Sequence, residues 1–553
     1  MHSPSRPSSR PTIARCLLTG LLIGTFAASS LQAAEPPQPK LVVTIAVDQF
    51  SADVFTEYRP LYRAGLKRLA GGVVFPRGHQ SHASTETCPG HSTILTGARP
   101  ARTGIVANDW QVPSRPRIVD GRQTFTVYCV EKLDANGNSA GVSADSLLVP
   151  TLGDRMKERD PATRVVSVAG KDRSAIMLGG HQADLTLWWT SEGFVTYRGK
   201  ESSIPKQITE DVNARLRQSY SRPTVPKLPA ACAAKSRETK ITDEISVGTL
   251  KSFPGNSRRW RATPAMDAFT VDAALAAVTS MNLGGAESID LLAVSFSGTD
   301  YVGHYYGTEG AEMCTQQLAL DESIGRLLSG LDKRGIPYVV AMTADHGGVD
   351  VTERNRARGV AAERIDPALL AANMNAALEA ELPGLPSPIV LGSHEFANDV
   401  YVNANIPAER RAGVLHALSL KYRSHPQVAA VFTREELIAA APPSGLVDEW
   451  TLLERAKASF NPQRSGDLIV LLKPYVSLYS LPRNPDRDYT SSHGSPWSYD
   501  RRVPIVFWWK GVRGFEQPTA VETVDIAPTL AKLIGLDVPA TEFDGRALPV
   551  VQP

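Results

Sequence analysis

The sequence predicts an α/β protein whose mostly parallel central sheet carries helices on both faces, together with inserted cap or accessory segments. Three observations point there. Several apolar runs of strand length are almost unbroken, as strands covered on both faces require. Helical periodicity lies between those runs, and each run stops at or just before an acidic residue. Polar residues gathered at the carboxyl ends of parallel strands are the usual setting for a ligand crevice in an open sheet.

The first run spans 40–47, with Leu41, Val42, Val43, Ile45, Ala46 and Val47, and ends on Asp48. Pro89 and the apolar residues after it mark a helix start, which puts Thr87 at a helix N-terminus. The segment near 202–256 is rich in Pro, Lys, Ser and Arg and reads as an insertion. A second buried run, 289–296, leads into Gly298-Thr299-Asp300. Leu318, Ile324, Leu327, Leu328 and Leu331 then share one side of a helix over 312–331. A third run, 338–342, leads into Thr343-Ala344-Asp345-His346. Residues 352–489 mix helical stretches with Pro-rich turns and read as a second insertion. The core pattern returns with a strand over 503–509 and a helix over 523–534 capped by Gly535.

Arg6, Arg10 and Arg15 precede the apolar run Cys16 to Ala28, and small residues follow to Ala34. This is the layout of a secretory signal peptide over 1–34, its apolar stretch too short for a membrane anchor. The expected compartment is periplasmic or extracellular. Cleavage removes three arginines and no acids, which takes the formal charge from +2 to −1. A dedicated nucleic-acid partner is not expected, because phosphate-backbone binding shows as a basic excess. Cys88, Cys129, Cys232 and Cys314 remain, an even number in an oxidising compartment. Three pairings are open; Cys88 with Cys129 and Cys232 with Cys314 close the shorter loops. With 553 residues, 42% hydrophobic and 21% charged, the mature chain reads as one large globular catalytic domain, 35–553, carrying the two insertions.

Asp300 and His304 lie four apart, so a helical turn puts carboxylate and imidazole on one side. Asp345 and His346 are adjacent, and a sharp turn at Gly347-Gly348 lets both face one crevice. Asp48 and His493 complete a set of six O and N ligands, enough for two metal ions with open positions. The absence of cysteine among them argues against a structural zinc site; His and Asp ligation fits catalytic Zn and leaves Mn or Fe open. A Thr87 hydroxyl at a helix N-terminus meets backbone N–H groups and the positive end of the dipole, which favour an alkoxide and a bound phosphate.

At these residues the sequence resembles the alkaline phosphatase superfamily, and within it the secreted bacterial phosphatases that use threonine as nucleophile. The similarity runs from Leu41 to about Leu548. It includes Thr-Cys-Pro-Gly-His at Thr87 to His91, Gly-Ile-Val-Ala-Asn-Asp at Gly104 to Asp109 and Lys-Asp-Arg at Lys171 to Arg173. It also includes Asp300 with His304, Thr-Ala-Asp-His-Gly from Thr343, Ser-His-Gly-Ser from Ser492 and Asp-Ile-Ala-Pro-Thr-Leu from Asp525.

The resemblance implies an alkaline phosphatase-like fold and two Zn2+ per chain. One zinc would take Asp300, His304 and His493; the other would take Asp48, Asp345 and His346 with Thr87. Asn108, Lys171 and Arg173 would hold the phosphate oxygens. It further implies hydrolysis of phosphate monoesters through a covalent phosphothreonine, with an alkaline optimum and small-molecule phosphate esters as substrates. A monoester carries two negative charges, which Lys171 as a point charge and Arg173 as a two-oxygen clamp would match. The competing expectation is a phosphodiesterase or nucleotide pyrophosphatase of the same superfamily, which lacks those paired cations. A non-catalytic metal- or phosphate-binding protein is a weaker alternative. A sulfatase is disfavoured because Cys88-Pro89-Gly90-His91-Ser92 departs from Cys-x-Pro-x-Arg. Natural substrate, oligomeric state and any further Ca2+ or Mg2+ site are not readable from the sequence.

Overall fold

Four parallel strands at the centre of one large sheet deliver their carboxyl ends to a common edge. They are β1 (Leu41–Val47), β3 (Val165–Ala169), β6 (Asp290–Phe296) and β7 (Tyr338–Thr343). The computed structural model describes residues 38–551 except 120–121, 222–226, 254 and 393–394, so the expected signal peptide lies outside the described residues. The remaining strands of the sheet are β2 (Val73–His79), β4 (Leu185–Thr190), β5 (Gly193–Val195), β8 (Arg502–Trp509), β9 (Phe515–Glu516) and β10 (Val521–Glu522).

The order is β5-β4-β3-β6-β1-β7-β8-β2-β9, with β10 also paired to β2. β4, β3, β6, β1 and β7 run parallel, whereas β8 is antiparallel to both β7 and β2. Ala46 stands opposite Ser295 on one side and Thr343 on the other, so the residues that follow all three strands emerge together.

Alternation along the strands divides the core in two. Val43, Ile45 and Val47 face helices Ala265–Ser280 and Gly310–Lys333. Val42 and Ala46 face the opposite layer, with Ile94, Leu95, Ile526 and Leu530. Every residue of β1, β6 and β7 is buried, which is why these strands read as unbroken apolar runs.

Residues within 363–478 build a separate apolar core under a four-stranded antiparallel sheet of Val390–Leu391, Asp399–Val402, Leu468–Leu472 and Val428–Thr433. Helices Ala371–Glu381 and Ala408–Ser424 cover it through Leu378, Val414 and Leu418. In the region near 202–256, Cys232 is bonded to Cys314 of the long helix, and Ile241 and Val247 join the main core. Cys88 is bonded to Cys129.

One element departs from expectation. The helix expected over 523–534 is a 3-10 turn, Thr523–Asp525, followed by an α-helix, Ile526–Leu533. Pro528 has no N–H to continue an α ladder back through Val524, so the α-helix begins only at Ile526.

Candidate active site

Thr87 is the first residue of the helix Thr87–Thr96, all of whose residues are buried. Glu86 precedes it in an extended conformation, so the free N–H groups of the first turn gather around Thr87. His91, one turn on, reaches the Thr87 carbonyl oxygen at 2.9 Å and Asp345 Oδ2 at 3.0 Å through Nδ1. Its Nε2 lies 2.8 Å from Ser295 Oγ. The helix is thereby joined to both neighbouring strand ends.

The six expected ligand residues converge. Asp48 follows β1, Asp345 and His346 follow β7, and Asp300 and His304 share the helix Gly298–Tyr306 after β6. His493 arrives from the loop before β8. Two trios bring a ligand atom from each member within 4.8 Å: Asp300, His346 and His493, and Asp48, Asp345 and His346. His304 adjoins the first trio, its Nε2 3.4 Å from Asp300 Oδ1.

The hydrogen bonding fits these residues to cations. Nδ1 of His304, His346 and His493 lies 3.1, 2.8 and 2.8 Å from the backbone oxygens of Ser491, Gly347 and Thr85. A carbonyl only accepts, so each Nδ1 carries the hydrogen and each Nε2 presents a lone pair. Those lone pairs face carboxylate oxygens: His493 to Asp300 at 3.5 Å, and His346 to Asp48 at 3.5 Å and Asp345 at 3.3 Å. Asp48 Oδ1, Asp300 Oδ1 and His346 Nε2 are buried without a hydrogen-bond partner. Acceptors facing acceptors in a buried site call for positive charge between them, and fixed second-nitrogen contacts are how ligating histidines are oriented.

Charges in the site say the same. Burial, with Asp300 and Asp345 close by, pushes Asp48 well above the usual carboxylate range. Burial works in the same direction on Asp300, but His304, Lys171 and His493 hold it well below. Burial also lowers His304, His346 and His493, which keeps their Nε2 lone pairs free.

Lys171, at the end of β3, places Nζ 2.6 Å from one oxygen each of Asp48 and Asp300 and 3.3 Å from Thr87 Oγ1. Arg173, in the helix Asp172–Gly179, places Nη2 3.5 Å from the same hydroxyl. Asn108 accepts from the Cys88 N–H through Oδ1 at 2.9 Å, which leaves its NH2 as the group able to serve an anion.

Supporting residues extend the set. Glu86 accepts from the Asn108 N–H at 2.7 Å, and burial pushes its carboxyl up to about 7. Tyr128 donates to Asp172 at 2.6 Å and contacts Arg173 Nη1 at 3.4 Å. Tyr489 stacks on the His304 ring with centroids 4.3 Å apart. Gln49 holds the left-handed conformation, φ 59°, and points its N–H at Asp345 Oδ1, 3.1 Å away. None of these carries a sequence spacing that marks it. Glu86 and His91 are the exceptions in lying within the helix-start motif around Thr87.

Asn108, Arg173, Asp300, His304 and His493 line part of a cavity of about 550 Å3, whose other walls include residues 390–392 and 395–401 and the side formed by Leu478, Tyr479 and Tyr489.

Residues 42–496 match the family described as type I phosphodiesterase / nucleotide pyrophosphatase. Alkaline phosphatase PhoK of Sphingomonas sp. is 47% identical over 93% of this chain and 91% of its own length. Alkaline phosphatase PhoD of Zymomonas mobilis is 45% identical over 95% of this chain and 90% of its own. A crystal structure of wild-type alkaline phosphatase PafA superposes with a TM-score of 0.79 at 25% identity, covering 93% of this chain and 99% of PafA. The chain thus belongs to the type I phosphodiesterase / nucleotide pyrophosphatase family of the alkaline phosphatase superfamily, and it is an enzyme of the phosphatase kind.

Proposed function

We propose that this enzyme is an exported, zinc-dependent alkaline phosphomonoesterase that forms a phosphothreonine on Thr87 and releases inorganic phosphate. The observation that carries the reading is the position of the Thr87 hydroxyl. It sits 3.3 Å from Lys171 Nζ and 3.5 Å from Arg173 Nη2, beside the acceptor-lined trios. Two zinc ions held by Asp300, His304 and His493 and by Asp48, Asp345 and His346 would lower the pKa of that hydroxyl and offset charge on the departing oxygen.

Thr87 loses its proton to solvent and its oxygen attacks phosphorus as the bond to the leaving oxygen breaks. That oxygen departs with the electron pair and takes a proton from water. Lys171, Arg173 and the Asn108 NH2 hold the remaining phosphate oxygens throughout. Water then adds to phosphorus, the bond to Thr87 Oγ1 breaks, and Thr87 regains a proton as phosphate leaves. Rising pH favours both loss of the Thr87 proton and deprotonated ligands, which accounts for an alkaline optimum.

The competing reading, a diesterase, is favoured by the family description over 42–496 and by the room in the cavity. Paired cations on oxygens that bear no leaving group favour the monoester. The deciding experiment is steady-state hydrolysis of an aryl phosphate and its methyl diester by wild type, Thr87→Ala and Arg173→Ala, with zinc or chelator. A monoester preference that shrinks in Arg173→Ala, with Thr87→Ala and chelated enzyme inactive, is expected. A diester preference, or full activity of Thr87→Ala, would overturn the reading.

A further inference from the structure

The cavity lined by Arg173, whose Nη2 lies 3.5 Å from the Thr87 hydroxyl, is far larger than a phosphoryl group. Its near end is bounded by Asn108, Arg173 and His304, so whatever is bonded to the transferred phosphate must extend into the remainder. The far walls are mixed, with an apolar patch beside acids and amides. Leu391 stands directly opposite Tyr401 on paired strands, and Phe396 and Leu478 face the same space. Tyr401 donates its hydroxyl to the Arg464 carbonyl at 2.8 Å, and its ring packs beside Leu391 in the apolar core that backs this wall. An aromatic path leads there from the reacting end. Tyr489 stacks on His304, and Tyr479 lies 5.8 Å from Tyr489, centroid to centroid.

Charge on these walls has one sign away from the phosphate. Arg173 is the cavity's only Lys or Arg among the described residues, and it faces Thr87. Asp109 and Asp399 also line the space; Asp109 lies close enough to Arg173 to feel its charge, and Asp399 accepts from the Gly466 N–H at 2.7 Å. Apolar walls favour an uncharged body, and carboxylates repel an anionic one.

We propose that this cavity is a leaving-group subsite that selects monoesters of uncharged aromatic alcohols and disfavours leaving groups carrying a further negative charge. The proposal rests on the phosphomonoesterase reading and names its substrate class. Specificity is assigned to Leu391, Phe396 and Tyr401 on the apolar side and to Asp109 on the charged side.

The test compares kcat/KM for ethyl phosphate, phenyl phosphate and 4-carboxyphenyl phosphate. Intrinsic reactivity cancels when each variant is referred to wild type on the same substrate. Phe396→Ala should lower the phenyl phosphate value about tenfold and leave ethyl phosphate within about twofold, the scale of a lost apolar contact. Asp109→Asn, at the exposed start of the strand Asp109–Gln111, should raise 4-carboxyphenyl phosphate relative to phenyl phosphate by about threefold or more. Leu391→Ala, on the strand paired with that of Tyr401, should repeat the Phe396→Ala result and keeps the test decisive if that variant folds poorly. Equal losses on ethyl and phenyl phosphate, or an unmoved carboxylate ratio in Asp109→Asn, would overturn the subsite. Failure of the underlying reading looks different: wild type would hydrolyse none of the three monoesters.

Discussion

Replacing Gly90 by alanine would set a methyl carbon 2.1 Å from the carbonyl oxygen of Asp345 and 2.8 Å from its Cα. Gly90 lies one turn into the helix that starts at Thr87, and Asp345 is an expected metal ligand. In an isolated helix the change would be favourable by about 1 kcal/mol. Here the opposing atoms are backbone, which cannot rotate aside, so helix and loop must part by about 1 Å to restore ordinary contact. Overpacking of this kind costs about 1–3 kcal/mol, which a domain of this size survives. The separation falls between nucleophile and ligand, where a displacement of about 1 Å lowers the rate on the order of 100-fold. The assay is kcat/KM on an aryl phosphate, with bound metal measured by mass spectrometry and folding by a thermal melt. A folded, metal-loaded Gly90→Ala enzyme within about threefold of wild type would refute the reasoning.

Four further outcomes are expected. Reducing the two disulfides, whose sequence separations are 41 and 82, should remove on the order of 4 kcal/mol each by the chain-entropy relation; denaturant unfolding with and without thiol measures this, and coincident curves would contradict it. The Asp321 carboxylate accepts from the backbone N–H groups of Arg63, Ala64, Leu66 and Lys67, so Asp321→Ala should cost about 3 kcal/mol in a urea melt while kcat/KM stays near wild type. Chelation leaves Asp48, Asp300 and Asp345 buried with Lys171 close to the first two, so the melting temperature should fall and recover on adding zinc; an indifferent melt would argue against metal at these residues. Because burial lowers His304, His346 and His493, protons compete for their lone pairs only below the ordinary value of about 6.5. Metal loss on acid dialysis should therefore begin below that pH, and loss at neutral pH would contradict the assignment.

The residues legible from local pattern are those whose role follows from one strand end. Asp48, Asp300 and Asp345 each follow a buried apolar run, and β1, β6 and β7 bring them to one edge. Thr87 was readable from Pro89, because a proline near a helix start locates the N-terminus. Asn108, Lys171, Arg173 and His493 carry no such local mark. Asn108, Lys171 and Arg173 follow only from the family resemblance and His493 only as the residue completing the ligand set; the fold brings Lys171 and Arg173 to Thr87, Asn108 to the Cys88 N–H and His493 into a trio. Strands β3 and β4 are short apolar runs of five and six residues, too short for periodicity alone to separate from a buried helical segment.

Other features depend on contacts that no spacing encodes. Gln49 in a left-handed conformation, Glu86 under Asn108, and Gly90 against Asp345 are set by which backbone meets which. The sequence by itself determined a helix-clad parallel sheet, because burial on both faces demands unbroken apolar strands, and it placed acids at the strand ends. Only the tertiary structure decided that three imidazole lone pairs face carboxylate oxygens in a buried site and that a cavity with apolar and acidic walls adjoins Arg173 and His304. Those arrangements arise from packing between segments hundreds of residues apart, whose mutual distance and orientation are properties of the closed fold and of no single segment.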